Sequence, residues 1–350
     1  MKRLGLRGGG AAWLAAELGI LAVLAAMGPV AAASPPPCRV NNITGGADYA
    51  GEGIVLQIAI STAAAGDTLR IKGSCEGNYN IIGKDLTLIG MPLPRFPSPS
   101  LDGGGTGYVL TIEASTVAIT GLTITNGSYA GEGGGVRNFG DLTLTRSTVR
   151  DNAAAGPGGG IYNLGDLALT DSTLSGNSAR DGGGVHNGGT LSITRSIVSG
   201  NTAVLGGGGI NSLGSLSLIG SLVSGNTADY RGGGIASAGS ATLVGSTVTR
   251  NFATSDGGGI AKGGTLAIID TMVTSNRAGV DGGGIGSFGG VSILSGATNI
   301  QDNFAGTAGG GIAIVGGGNV TAAGDWTGSV SDNSPDDCDP DMTLGGSICI

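Results

Sequence analysis

The chain is predicted to be an all-β, right-handed parallel β-helix, a solenoid of three sheets with about 25 residues in each coil. Two observations predict this fold. One motif recurs at a nearly fixed interval, and each copy joins alternating apolar residues to an asparagine and a run of glycines. The asparagines that mark the copies follow each other after 24 or 25 residues and finally after 27: Asn152, Asn177, Asn201, Asn226, Asn251, Asn276 and Asn303.

Each copy contains three short strand patterns. Leu167 and Leu169 lie ten and eight residues before Asn177, and Ser172 and Leu174 lie five and three residues before it. A spacing of two places both members of a pair on one face of a strand, so both pairs are expected to point inward. A Val or Ile after the glycines opens the third strand. The right-handed form is expected because parallel crossover connections are nearly always right-handed, and no hexapeptide period is present.

The recurring asparagines and glycines are predicted to be structural. One asparagine per coil can stack into a ladder whose amides hydrogen-bond along the solenoid axis. Glycines allow positive φ and close backbone approach at a tight corner. None of the triple glycines is followed by the Lys-Ser or Lys-Thr of a phosphate-binding loop, and the register of calcium-binding nonapeptides is missing.

Four segments are predicted along the chain. Residues 1–33 combine a basic start, an apolar run and three alanines, which is typical of a cleaved signal peptide. Residues 34–66 are expected to be an N-terminal cap with a short amphipathic helix within 53–67. The β-helix is expected over 67–330 and a disulfide-containing tail over 331–350. A cleaved signal predicts a secreted or cell-surface protein without a membrane span in its exported form.

The four cysteines lie two near each end of the exported chain: Cys38, Cys75, Cys338 and Cys349. In an exported protein they are expected to form disulfides, and of the three pairings Cys38–Cys75 with Cys338–Cys349 is the local one. The formal net charge is −8 and no basic cluster is present. Nucleic acid is therefore not expected as a partner.

The unit of glycines followed by Ile or Val, paired with Val or Leu three residues before Asn, resembles the repeats of chlamydial polymorphic outer-membrane proteins. Val or Leu stands here where those repeats carry Phe. Over roughly residues 54–330 the chain resembles secreted bacterial β-helix proteins of the pectin-lyase-like class. That resemblance implies a solenoid whose outer face contacts a polysaccharide, and it directs attention to outward acids and bases.

Few residues offer the required chemistry. Asp181 and Asp281, with Asp151 and Asp256, belong to a loose acidic row beside the turns between asparagine and glycine, where clustered carboxylates would bind the calcium of a lyase. Solvated turn charges are the simpler interpretation of this row. A hydrolase would need paired carboxylates, and the only adjacent pair, Asp336 and Asp337, lies in the irregular tail. Asp337, Asp339 and Asp341 have the spacing of a calcium loop, although Pro340 and the missing glycine weaken that match. His186, the only histidine, is expected to point outward as an isolated surface side chain.

Two outward stripes are polar in the early coils and apolar in the late ones. Their members are Thr145, Thr170, Thr194, Ile219, Val244, Ile269, and Thr148, Thr173, Ile197, Leu222, Thr247, Met272. An exposed apolar stripe can mark a contact surface. Threonine ranks are also found on ice-binding solenoids, but here they break after three coils.

The sequence thus favours a secreted or cell-surface structural or binding protein, adhesin-like or glycan-contacting, whose partner is a polysaccharide or a cell-surface protein. No catalytic residues and no cofactor are predicted. The alternative is a polysaccharide lyase or glycoside hydrolase of the pectin-lyase-like class, with calcium as the candidate cofactor of a lyase.

Overall fold

The computed structural model describes residues 37–51, 53–92 and 98–338. Within these ranges successive coils pair strand on strand in parallel, and the strands form three sheets. The predicted all-β, three-sheet parallel solenoid is therefore confirmed, while its right-handed sense stays a prediction. The expected signal peptide, residues 1–33, lies outside this part of the chain.

A regular coil contains four short strands rather than three. In one coil these are Ile161–Asn163, Asp166–Thr170, Thr173–Ser175 and Ser178–Ala179. The first two belong to one bent sheet, called sheet 1 here, the third belongs to sheet 2 and the fourth to sheet 3. The fourth strand is only two residues long, and in this coil Arg180 and Asp181 separate it from the glycine corner that begins at Gly182.

The strands of each sheet are as follows. Sheet 1 contains Arg39–Asn42, Ala47–Ala50, Asp67–Lys72, Tyr79–Ile82, Leu86–Gly90, Leu110–Thr120, Val136–Thr145, Ile161–Asn163, Asp166–Thr170, Val185–Asn187, Thr190–Thr194, Ile210–Ser212, Ser215–Ile219, Ile235–Ser237, Ser240–Val244, Ile260–Lys262, Thr265–Ile269, Ile285–Ser287, Val291–Ser295, Ile312–Ile314 and Asn319–Ala322. Sheet 2 contains Ser74–Glu76, Ser100–Asp102, Thr123–Thr125, Thr148–Arg150, Thr173–Ser175, Ile197–Ser199, Leu222–Ser224, Thr247–Thr249, Met272–Thr274, Asn299–Gln301 and Ser329–Ser331. Sheet 3 contains Ser128–Tyr129, Ala153–Ala154, Ser178–Ala179, Thr202–Ala203, Thr227–Ala228, Phe252–Ala253 and Arg277–Ala278.

The core is a set of columns that run along the solenoid. Leu167 pairs with Leu191 and Leu191 with Leu216, so equivalent residues of successive coils stack about 4.8 Å apart. The inward residues of sheet 2, such as Val198 and Val223, are completely buried. Each coil therefore buries its apolar side chains against its two neighbours, which is how a repeat too small for a core of its own is stabilised.

The N-terminal end of the solenoid is covered by a helix and a hairpin. The helix α1, Val55–Thr62, is shorter than the expected segment and buries its apolar face on the first coils. Strand Arg39–Asn42 pairs antiparallel with the first solenoid strand, Asp67–Lys72, and the disulfide Cys38–Cys75 joins this strand to sheet 2. The cap thereby covers a sheet edge that would otherwise be open to pairing with another chain. No helix in the described part of the chain is long and apolar enough to cross a membrane.

Candidate functional site

The recurring asparagines form one buried column at a corner of the solenoid, called the first polar column here. The Nδ2 of each asparagine donates to the Oδ1 of the asparagine in the next coil, at 2.9 to 3.0 Å. The members are Asn152, Asn177, Asn201, Asn226, Asn251, Asn276, Asn303 and Asn333. Because Asn333 follows Asn303 by 30 residues, the sequence period alone did not include it.

The expected calcium-loop residue Asp337 ends this column. Its Oδ1 accepts hydrogen bonds from the main-chain nitrogen and the Nδ2 of Asn333, both at 2.9 Å. Asp339 and Asp341 lie beyond the last residue that the structure describes, as does Cys349, the expected partner of Cys338. In residues 37–51, 53–92 and 98–338, no three His, Cys, Asp or Glu side chains group so as to hold a metal ion.

The two candidate carboxylates, Asp181 and Asp281, occupy equivalent turn positions four coils apart. Gly206, Arg231 and Asp256 lie between them, as the main-chain hydrogen bonds of the glycine corners show. Four coil steps correspond to about 19 Å, whereas the paired carboxylates of a glycoside hydrolase lie about 5 to 10 Å apart. The structure therefore does not bring these two side chains together.

The aspartates of this turn position instead hold neighbouring groups in place. Asp281 Oδ1 accepts the main-chain N–H of Ala308 at 3.1 Å, and Asp256 Oδ1 accepts that of Asp281 at 3.3 Å. Asp181 forms an ion pair with the adjacent Arg180 at 2.9 Å. These contacts favour the interpretation of the acidic row as turn charges.

A cluster of aromatic rings covers the outer side of sheet 1 in the early coils. We call it the aromatic strip, and its members are Tyr108, Tyr129, Arg137, Phe139, Tyr162 and His186. Arg137, Tyr162 and His186 hold the same outward register position in three successive coils. Each directly follows the Val or Ile after a glycine corner, whose side chain points inward, so the alternation of the strand turns these three outward.

The rings of the aromatic strip contact each other along the solenoid axis. Tyr162 and His186 stack with ring centroids 5.5 Å apart and planes at 11°, and Phe139 meets Tyr162 at 6.1 Å. Tyr108 and Tyr129 meet edge to face at 5.5 Å. The six side chains are each half-buried, so each presents part of its surface to solvent while it packs on its neighbours.

The Arg137 guanidinium lies among three of these rings. Its Cζ is 5.5 Å from the centroid of Tyr108, 5.7 Å from that of Tyr129 and 5.3 Å from that of Phe139. A guanidinium at such distances is attracted by the negative faces of the rings. Arg137 Nε is buried and has no hydrogen-bond partner among the described residues, so this donor stands beside the rings.

The surroundings of His186 change the pKa of its imidazole. Burial lowers the pKa of its imidazole below the ordinary value, the Asp181 carboxylate opposes that shift, and Arg180 adds to it. The neutral ring is therefore favoured at neutral pH. Its Nδ1 is buried without a hydrogen-bond partner in the described structure, which leaves a second polar atom beside the rings.

The aromatic strip is local and not a property of every repeat. The same register position holds Asn211, Ala236, Ala261 and Gly286 in the coils that follow His186. The whole chain has 2 Trp, 6 Tyr and 5 Phe residues, and four of these thirteen, with the single His, lie in the strip. Because aromatic residues are so scarce here, their concentration marks this surface as distinct.

The sequence interpretation placed His186 outward but treated it as isolated. Its ring partner Tyr162 lies one coil away, so the pair is visible only when the coils are aligned in register. The sequence alone would have allowed this alignment, because the residue after each Val or Ile of the glycine corner is on the outward side of its strand. Reading that position in consecutive coils gives Arg137, Tyr162, His186 and Asn211.

Part of the late outward stripe is exposed, and Leu222, Val244 and Ile269 are partly buried. Ile197, Ile219 and Met272 have exposed fractions of 41%, 46% and 41%. They flank a corner at which Gly220 and Gly245 have positive φ and no side chain to cover the apolar neighbours.

No protein-family model, no curated protein and no solved structure matches the chain. The resemblance to pectin-lyase-like and chlamydial repeat proteins therefore has support only from the repeat pattern and, for the fold, from the parallel solenoid itself.

Proposed function

We propose that this protein is an exported or cell-surface β-solenoid that binds a neutral polysaccharide along its aromatic strip. The observation that carries the proposal is the row of rings from Tyr108 to His186. The apolar faces of sugar rings carry polarised C–H groups, which pack on the negative faces of aromatic rings.

The direction of the strip favours a chain over a single sugar. Its members lie on four successive coils and so extend over about 14 Å along the axis. A row of rings on the outer side of a sheet suits a chain that passes over it rather than a small molecule that enters a cavity. The net charge of −8 makes a polyanionic polysaccharide the less suitable ligand.

The test is a binding assay with the exported chain, residues 34–350, on cellulose, xylan, chitin and mannan, with polygalacturonate as the anionic comparison. Retention of intact protein and release of soluble sugar are both recorded, with and without calcium. Retention on a neutral polysaccharide without sugar release is the expected result. Release of sugar would make the protein an enzyme and overturn the proposal.

Variants locate the binding surface. Tyr162→Ala is expected to weaken binding about tenfold, because the central ring of the strip is lost, and Tyr162→Phe is expected to bind like the parent. Tyr230→Ala is the matched control: Tyr230 is an exposed tyrosine outside the strip, packed on Arg231. If Tyr162→Ala keeps its melting temperature and its full affinity, the strip is not the binding surface.

A further inference from the structure

A second column of inward polar residues runs along the corner between the two strands of sheet 1. We call it the second polar column, and its members are Asn138, Asn163, Asn187, Ser212, Ser237, Lys262 and Ser287. Each is at most 4% exposed. Asn138 and Asn163 donate to the next asparagine at 2.7 Å, and Asn187 donates to Ser212 Oγ at 3.0 Å.

The hydrogen-bonded chain stops after Ser212. Ser237 Oγ, Lys262 Nζ and Ser287 Oγ are buried and have no hydrogen-bond partner in the described residues. The same holds for Ser292 Oγ, on the strand that follows Ser287. Four polar atoms without partners on adjacent strands are costly, because each has given up its hydrogen bonds to water.

The core around Lys262 is adapted to a long polar side chain. The first inward position of the strand that follows the second polar column holds leucine in three coils, as Leu191, Leu216 and, in the coil of Lys262 itself, Leu266. In the coil before Lys262 that position is Ala241, and in the coil after it Ser292. The smaller residues leave room on both sides of Lys262, and Ser292 adds a hydroxyl there.

The Lys262 ammonium also lacks an opposite charge. The other buried charged side chains of the described chain are Asp67 and Asp256. Asp67 accepts from Asn42 at 2.7 Å in the N-terminal cap, and Asp256 pairs with Arg231 at 3.1 Å on the outer side of a turn. An unpaired buried ammonium is far more costly than an unpaired hydroxyl. Burial lowers the pKa of Lys262 to about 8, so the group still carries its charge at neutral pH.

We propose that Lys262, together with the hydroxyls of Ser237, Ser287 and Ser292, binds a small monovalent inorganic anion such as chloride inside the solenoid. The ammonium supplies the charge and the hydroxyls supply O–H donors. The anion takes the place that an asparagine Oδ1 holds in the earlier coils, and it links three coils at the point where the amide ladder ends. The site is independent of the aromatic strip.

A direct test uses bromide, which scatters anomalously. The full exported chain is unfolded in urea, refolded in sodium bromide and crystallised, and diffraction is recorded at the bromine absorption edge. An anomalous peak within hydrogen-bonding distance of Lys262 Nζ is expected. Density without an anomalous signal at that place would show water and would overturn the proposal.

A solution test measures equilibrium unfolding at constant ionic strength while chloride replaces gluconate, an anion too large for the core. Above the dissociation constant, the unfolding equilibrium constant of the parent is expected to fall about tenfold for each tenfold rise in chloride. Lys262→Met should remove this dependence, and Ser237→Ala should weaken it. An equal dependence in the parent and in Lys262→Met would contradict the site.

Lys84→Met is the matched control for the loss of a partly buried lysine. Lys84 Nζ donates to the main-chain oxygens of Ile60, Ser61 and Ala63, at 2.9 to 3.1 Å, so the protein itself satisfies this ammonium. The variant is expected to keep the full chloride dependence of the parent. If Lys84→Met also lost the chloride dependence, the effect would come from the general change in charge and not from the proposed site.

Discussion

The first and second polar columns begin alike and end differently. Both start with asparagines whose amides bond along the axis. The first column keeps asparagine through Asn333, whereas the second changes to serine at Ser212 and then to Lys262. The comparison shows that such a column continues only while each coil supplies a side chain that accepts a hydrogen bond from the one before it, as Ser212 still does for Asn187.

Geometry explains why the first column does not vary. The Oδ1 of each asparagine there accepts both the main-chain N–H and the Nδ2 of the preceding one, as Asn226 does for Asn201 at 3.0 and 2.9 Å. In the second column Oδ1 receives the side chain of its neighbour but no main-chain N–H from it. A substitution there leaves no main-chain N–H of the neighbouring coil without its partner, so other residues are tolerated.

The largest effect is expected from Asn226→Leu, in the middle of the first column. It removes two hydrogen bonds to Asn201 and two that Asn226 donates, to Val198 O at 3.0 Å and Asn251 Oδ1 at 2.9 Å. Four buried polar groups lose a partner, and we expect the free energy of unfolding to fall by about 3–5 kcal/mol. Urea denaturation followed by circular dichroism measures it. A loss below 1 kcal/mol would mean that the column contributes little.

Asn163→Leu makes the corresponding change in the second column. Asn163 Nδ2 donates to Asn187 Oδ1 at 2.7 Å and to the main-chain oxygens of Gly165 and Thr190, and its Oδ1 accepts from Asn138. No main-chain N–H depends on it, so we expect a smaller loss, of about 2–3 kcal/mol. The same urea experiment applies, and a loss equal to that of Asn226→Leu would remove the distinction between the columns.

The sequence predicted the columns only where the period was regular. Leu167, Leu174 and their equivalents were assigned inward because local alternation and the 25-residue step agree. Asn333 and Asp337 were not assigned to the ladder, because the last coil is longer and the step there is 30 residues. Antiparallel pairing of Arg39–Asn42 was not predicted either, since that strand is outside the repeat and its partner is distant in sequence.

The candidate sites depend on relations between coils, which a single repeat does not contain. Tyr162 and His186 each read as an ordinary outward residue until their coils are placed in register. Lys262 reads as a polar residue near a turn, and only the bend of sheet 1 shows that this position faces the core. Local sequence patterns thus predicted the fold, while the prediction of either site would have required the alignment of neighbouring coils.

The pH dependence of stability is expected to separate the columns further, because only the second has a fully buried titratable side chain, Lys262, between its coils, whereas Asp337 at the end of the first is partly exposed. The strands beside Lys262, Ile235–Ser237, Ile285–Ser287 and Val291–Ser295, carry no titratable group. The folded-state pKa of Lys262 is about 8, below the ordinary 10.5. The unfolded chain therefore binds more protons between these values, and stability must rise with pH in that window.

We expect this rise in gluconate to be about 1–2 kcal/mol between pH 8 and pH 10.5, a value reduced from the full pKa difference to allow for solvent screening of the ammonium. The measurement is the difference in free energy of unfolding between the parent and Lys262→Met, which cancels the titration of other groups. A difference that stays constant across the window would show that Lys262 is not desolvated.

The smallest effect is expected from Ser237→Ala, and Ser196→Ala is its matched comparison. Both serines are buried, but Ser196 Oγ donates to Thr194 O at 2.8 Å and accepts the main-chain N–H of Ser172 at 3.0 Å. Removing that hydroxyl is expected to cost about 1–2 kcal/mol. In gluconate, Ser237→Ala should change stability by less than about 0.5 kcal/mol, because its hydroxyl loses no protein partner. In chloride, Ser237→Ala should become destabilising, because the bound anion loses one hydrogen-bond donor. The stability losses caused by Ser237→Ala and Ser196→Ala should therefore become similar only when the anion is bound.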